Sequence, residues 1–304
     1  MFTALIQMAL LIACGTLWKS YAPAHISAMA HRRALTDLVF YLLLPALVLN
    51  IIWQVPLSYD SIKVSFLAAS GISTGVIAMW LVIKYLKASR KQTGALLLAA
   101  SFPNGTYLGL PVLDQVVGSH TRAIILNYDL LACTPILMSL GILMSNYYGD
   151  SHSRVNPLRE LMRIPPLWAV TLGIILNISG VPQPEIIDAS LSTLAGGVVP
   201  LMLIVLGMSI RWQSLRLRFM PLLIPVAAIS LILVPLSVLG LSYAVGLDTN
   251  MIIPVALISA MPTMVFGIVI CERYHLDTDL YAAAATFTTI LSLISLPVWF
   301  ALLS

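Results

Sequence analysis

Read for its apolar and polar positions, the chain is a series of long apolar runs separated by short polar breaks. Crossing the hydrocarbon layer of a bilayer takes about 17 to 25 residues of helix. Runs of about that length fall at 2–20, 35–54, 62–86, 94–117, 123–147, 166–181, 189–210, 219–246, 250–271 and 280–303. In lipid only a helix satisfies its backbone groups within one such segment, so the pattern predicts an all-α integral membrane protein with ten transmembrane helices. The most polar stretch, Tyr148 to Arg163, parts them into two sets of five. An odd number per set makes the second enter the membrane with the opposite orientation, the arithmetic of an inverted repeat. The predicted organisation is a first five-helix repeat at 1–148, a cytoplasmic connecting loop at 149–165 and a second, inverted repeat at 166–304.

Composition agrees with this reading. Of 304 residues, 60% are hydrophobic and 9% charged, against about 25% charged in a soluble domain. The net charge of +4 raises the question of a nucleic-acid partner, but the basic residues form short clusters between apolar runs and no continuous face. With the N-terminus outside, the inner breaks hold Lys19, Arg32 and Arg33; Lys84, Lys87, Arg90 and Lys91; Arg154, Arg159 and Arg163; Arg211, Arg216 and Arg218; and Arg273. The outer breaks hold only Lys63 and Arg122. This excess of inner cations predicts that both termini lie outside a bacterial inner (plasma) membrane. No Lys or Arg precedes Lys19, so the first run reads as a retained span and not as a cleaved signal. The cysteines (Cys14, Cys133, Cys271) lie in or at the ends of apolar runs, and the histidines near segment ends. Neither set has metal-ligand spacing, so no metal, cofactor or catalytic centre is expected.

Internal echoes support the repeat. The fourth run reaches a proline after Ala99-Ala100-Ser101-Phe102, the ninth after Ile258-Ser259-Ala260-Met261, at an offset of 159 residues. Pro45 and Pro200 sit similarly in the second and seventh runs. Proline removes a backbone donor and clashes with the preceding turn. Pro103-Asn104-Gly105-Thr106 and Pro262-Thr263 therefore predict two broken helices in corresponding places. Each second half-helix would start near the bilayer midplane with free N–H groups and a partial positive charge, suited to an anion without Lys or Arg. The candidate substrate-binding residues are Pro103, Asn104, Gly105, Pro262 and Thr263, joined by Asn50, which follows Pro45. Asp129, within the fifth run, is an intramembrane acid and the candidate for proton or sodium coupling. The alternative for Asp129 is an inert carboxylate near the outer interface, paired with Arg122 or hydrogen-bonded.

The segment Pro103-Asn104-Gly105-Thr106-Tyr107-Leu108-Gly109-Leu110-Pro111 resembles the crossover of the auxin efflux carrier family, which includes plant auxin exporters and bacterial organic-acid or malonate permeases. Ala260-Met261-Pro262, Glu272-Arg273-Tyr274 and the run 38–45 are similar to other parts of it. The resemblance implies a ten-helix fold related to bile-acid/sodium symporters. It implies a scaffold of spans 1, 2, 6 and 7, a transport core of spans 3–5 and 8–10, a homodimer, and elevator-like alternating access. It also implies that Asn104 contacts a substrate carboxylate. Plant members carry a charged pair in the third span, where this chain has Ser70 and Thr74. The function expected is secondary transport of a small organic anion; a membrane sensor or channel on the same fold is the alternative.

Overall fold

The computed structural model describes residues 2–21, 27–54, 59–149, 159, 162–210 and 217–303. Most of the predicted connecting loop lies outside these residues, as do Arg154, Arg211 and Arg216. Among the described residues there is no strand. The helices are α1 (Phe2–Tyr21), α2 (Ala28–Gln54), α3 (Tyr59–Ile83), α4 (Arg90–Ser101), α5 (105–116) and α6 (Thr121–Tyr148), then α7 (Pro165–Ile178), α8 (Glu185–Ser209), α9 (Leu217–Ala244), α10 (Thr249–Ser259), α11 (Gly267–Arg273) and α12 (Thr278–Leu303). Six of them, α2, α3, α6, α8, α9 and α12, are each long and apolar enough to cross a membrane. Helix underlies all ten apolar runs, and the fourth and ninth are each in two pieces. Helix α2 starts at Ala28, ahead of the apolar run, because Ser27 accepts from the Ala30 N–H and caps a polar first turn.

Prolines shape the helices in a second way. Widened π turns at Val39–Leu43, Gly105–Gly109, Asp129–Cys133 and Ile229–Leu233 each end two residues before a proline: Pro45, Pro111, Pro135 and Pro235. A proline ring crowds the carbonyl four residues back and offers it no N–H, and a wider turn relieves the clash. In α9 the carbonyl deprived in this way belongs to Leu231, and Trp299 Nε1 on α12 donates to it at 2.8 Å. That bond meets the rule that no backbone group goes unpaired in an apolar interior.

The chain forms two compact units. One contains α1, α2, α7, α8 and the segment Thr106–Leu126. Here α1 lies along the second half of α8 with backbone in contact, and α7 lies along α2. A Cβ on Gly15 would sit 2.0 Å from the Ile204 carbonyl oxygen, and one on Gly207 2.0 Å from that of Ile12. Thr16 Oγ1 donates to the Gly207 carbonyl at 3.2 Å across the same crossing. The other unit contains α3, α4, the rest of α6, and α9 to α12, with α3 packed on α4, α9 and α6 and α12 packed on α4 and α9. The division falls between Gly105 and Thr106, at the start of α5.

Among the described residues, three helices end in the same motif, in which a residue with positive φ is followed by an N–H bonded to a carbonyl five residues back. Gly180 (φ 63°) and Gly246 (φ 59°) serve α7 and α9, and His275 (φ 55°) serves α11. Glycine takes this conformation freely, whereas a side chain costs about 1–2 kcal/mol.

Two outcomes are expected in thermal melts of the purified protein. His275→Gly raises the melting temperature, by about 1 kcal/mol of stability. Gly207→Ala lowers it, by about 1–3 kcal/mol, because a methyl group forces α1 and α8 apart.

Candidate functional site

Both predicted breaks occur, and they meet. Phe102, pushed out of helical geometry by the following proline (φ −109°, ψ 108°), ends α4, and Ala260 ends α10 two residues before Pro262. The two extended segments then cross as a single antiparallel bridge, Pro103 opposite Thr263. Asn104 N donates to the Pro262 carbonyl at 2.7 Å, and Met264 N to the Phe102 carbonyl at 3.0 Å. Each break thus satisfies groups that the other leaves open, without water.

Side chains reinforce the bridge. Thr263 is fully buried; its Oγ1 donates to the Ala99 carbonyl at 2.7 Å, and its N–H donates to Thr288 Oγ1 at 3.1 Å. Tyr281 Oη donates to the Met264 carbonyl at 2.8 Å. Thr288 and Tyr281 on α12 were not singled out by sequence reasoning; polar residues recurring in an apolar run (Thr286, Thr288, Thr289, Ser292) are the signal that was available.

Asn104 differs from its neighbours. Its side chain is 1% exposed, and neither Nδ2 nor Oδ1 has a hydrogen-bond partner. Leaving one buried polar group unpaired costs about 1–3 kcal/mol, and such groups are scarce in native proteins. A planar donor and acceptor held by a backbone-locked crossover is a recognition group: Nδ2 suits a carboxylate oxygen, and Oδ1 suits an O–H or N–H.

Gly105 brings a second candidate residue to this place. A Cβ on Gly105 would lie 3.3 Å from Asp129 Cγ and Oδ2 and 3.4 Å from Ile258 Cδ1. Asp129 is 3% exposed. Its predicted alternative partner is engaged elsewhere, since Arg122 holds Asp114 through two hydrogen bonds of 2.7 Å. Pro103, Asn104, Gly105, Asp129, Pro262 and Thr263 therefore all belong to one unit. Asn50 belongs to the other, where its amide donates to Ser192 Oγ at 3.0 Å and accepts from Gln183 Nε2 at 2.8 Å. The helix ends also differ from the expected symmetry. Helix α5 begins directly at Gly105, whereas α11 has seven residues and begins at Gly267, four past Thr263. A short helix so displaced adds little field at the bridge.

Residues 1–300 match the family described as membrane transport protein. The chain belongs to that family, the auxin efflux carriers. An uncharacterized transporter of Methanothermobacter thermautotrophicus is 31% identical over 273 residues, 87% of each chain. One of Methanocaldococcus jannaschii is 26% identical over 283 residues, 88% of this chain and 89% of its own. The uncharacterized transporter YfdV of Escherichia coli is 23% identical over 221 residues, 71% and 70% of the two chains. The chain is thus a multi-pass membrane transporter, and the crossover is its candidate solute site.

Thr263→Val removes the hydroxyl that ties α4 to the second break and leaves the Ala99 carbonyl short of a partner. It should cost about 1–3 kcal/mol in thermal unfolding, and Thr263→Ser should recover most of the loss.

Proposed function

We propose that this protein is a secondary transporter of small organic anions, mono- or dicarboxylates, working by elevator-like alternating access. The observation that carries the reading is the buried Asn104 amide, with no partner for either polar atom, at the meeting point of two broken helices. A solute carboxylate takes a hydrogen bond from Nδ2 beside Gly105, the residue that follows Asn104. Gly105 keeps that approach open. Pro103, Pro262 and Thr263 hold the crossover in shape, and Asp129 beside it is the candidate coupling group.

Several features support alternating access on an inverted-repeat fold of ten spans. The two breaks lie in corresponding places of the two halves. All the crossover residues fall in one compact unit that can carry them as a body, while α1, α2, α7 and α8 gather in the other. The predicted scaffold and a homodimer through that scaffold complete the proposal. The inner-membrane orientation with both termini outside is supported by the count of Lys and Arg, of which only Lys63 and Arg122 fall in the outer breaks.

The test is transport by the purified protein in proteoliposomes against a panel of mono- and dicarboxylates, with current and labelled counterflow both recorded. Saturable counterflow of one acid is expected, which a channel would not give. Asn104→Ala, expressed and folded as the wild type, should lower the rate at subsaturating solute about tenfold or more, the equivalent of one charge-assisted hydrogen bond. Normal transport by this variant would overturn the assignment of Asn104. Silence across the panel in both assays would overturn the anion reading.

A further inference from the structure

We infer that the turn joining α3 to α4 binds the headgroup of an anionic phospholipid. Residues 84–91 carry Lys84, Lys87, Arg90 and Lys91, all of them exposed. No Asp or Glu occurs between Asp60 and Asp114, so this part of the chain supplies them with no acid. Among the described residues Lys84, Lys87 and Arg90 are in no ion pair. Lys91 lies by the start of α12, where its carbonyl accepts from the Asp277 N–H at 3.5 Å, and the site is built from the other three. On the proposed orientation this turn faces the inner leaflet.

The place of these cations in the helices asks for an anion. A helix favours cations at its C-terminus and disfavours them at its N-terminus. Arg90 and Lys91 are the first two residues of α4, and no acid shares that turn. The helix end itself is well made: Ser89 Oγ accepts from the Gln92 N–H at 3.3 Å, and Gln92 Oε1 accepts from the Ser89 N–H at 3.0 Å. Two cations thus add to the partial positive charge of a fixed helix start. A preference for cations on the inner side is met equally well anywhere in a loop. Cations gathered on a helix N-terminus suit a phosphate.

The surroundings make that phosphate part of a lipid. Ile77, Trp80, Leu81 and Lys84 follow one another at helical spacing, and all four are exposed, so an apolar stripe on α3 runs directly into the basic turn. Lys84 Nζ stands 3.6 Å from the centroid of the Trp80 ring. Tyr85 is 89% exposed. Arg90 donates to the Tyr147 carbonyl and stacks over the exposed Tyr147 ring, in the same compact unit. Trp and Tyr gather where a membrane meets water, and these three set the cations at the level of the lipid phosphates. Acyl chains lie along the stripe, and the phosphate takes Lys84, Lys87 and the first turn of α4. Each cation contributes about fivefold in affinity. A zwitterionic headgroup brings a cation of its own, and a free phosphate makes no use of the stripe.

The experiment is native mass spectrometry of the purified full-length protein in neutral detergent, titrated with dioleoyl phosphatidylglycerol or dioleoyl phosphatidylcholine. Phosphatidylglycerol should bind the wild type about tenfold more tightly or better. The combined variant Lys84→Gln, Lys87→Gln, Arg90→Gln should weaken its binding about a hundredfold. A control with the same loss of charge elsewhere, Arg33→Gln, Lys63→Gln, Arg218→Gln, should bind as wild type, and inorganic phosphate should not displace the lipid. Equal binding of the two lipids overturns the inference, as does unchanged affinity in a combined variant that melts like wild type, or an equal loss in the control. Displacement by inorganic phosphate assigns the turn to a soluble anion and overturns the lipid. If the combined variant does not fold, Lys87→Gln alone decides, because Lys87 is exposed. Its affinity must fall about fivefold, and an unchanged value overturns the inference.

Discussion

In a hydrocarbon layer, a chain that leaves the helix has to find partners for its own backbone groups, because no water is there to supply them. The pair of hydrogen bonds joining Phe102 to Met264 and Asn104 to Pro262 meets that demand at the centre of one unit. Prolines 103 and 262 force the breaks, and each break alone would leave donors and acceptors exposed to apolar surroundings. Brought together they close on each other, and Thr263, Thr288 and Tyr281 take up adjoining backbone groups. The rest of the arrangement depends on this. Helix α5 can start at Gly105 only because the residues before it are held extended, and Gly105 can lie against Asp129 only because it has no side chain.

The same constraint gives the Asn104 amide its meaning. At Asn104 both polar atoms of one rigid, planar group are buried without a hydrogen-bond partner. The cost, about 1–3 kcal/mol per polar group, is consistent with a group kept for a solute. Membership of a family of membrane transport proteins fits that use.

Much of this was legible in the sequence, for a physical reason. Lipid imposes long apolar runs on any helix that crosses it, so their places could be read directly, and prolines announce breaks. The pairing of the breaks could not be read, because a bridge between residues about 160 positions apart leaves no local trace. Thr263 shows the limit clearly. Its type and place suggested a solute ligand, but its hydroxyl proton is given to the Ala99 carbonyl. Asn50 was likewise placed near the path by its distance from Pro45, and the structure binds it to Gln183 and Ser192 in the other unit. The widened turns also escaped: a proline in an apolar run predicts a kink, and whether the helix relieves it by breaking or by widening depends on tertiary partners such as Trp299.

The central claim is that the Asn104 amide receives the transported solute. The most direct measurement is an electron cryomicroscopy structure with a transported organic acid bound, at a resolution that shows its carboxylate. The account predicts density within hydrogen-bond distance of Asn104 Nδ2, beside Gly105. A carboxylate held elsewhere, for instance against Asn50, with the Asn104 amide still unpartnered, would contradict it.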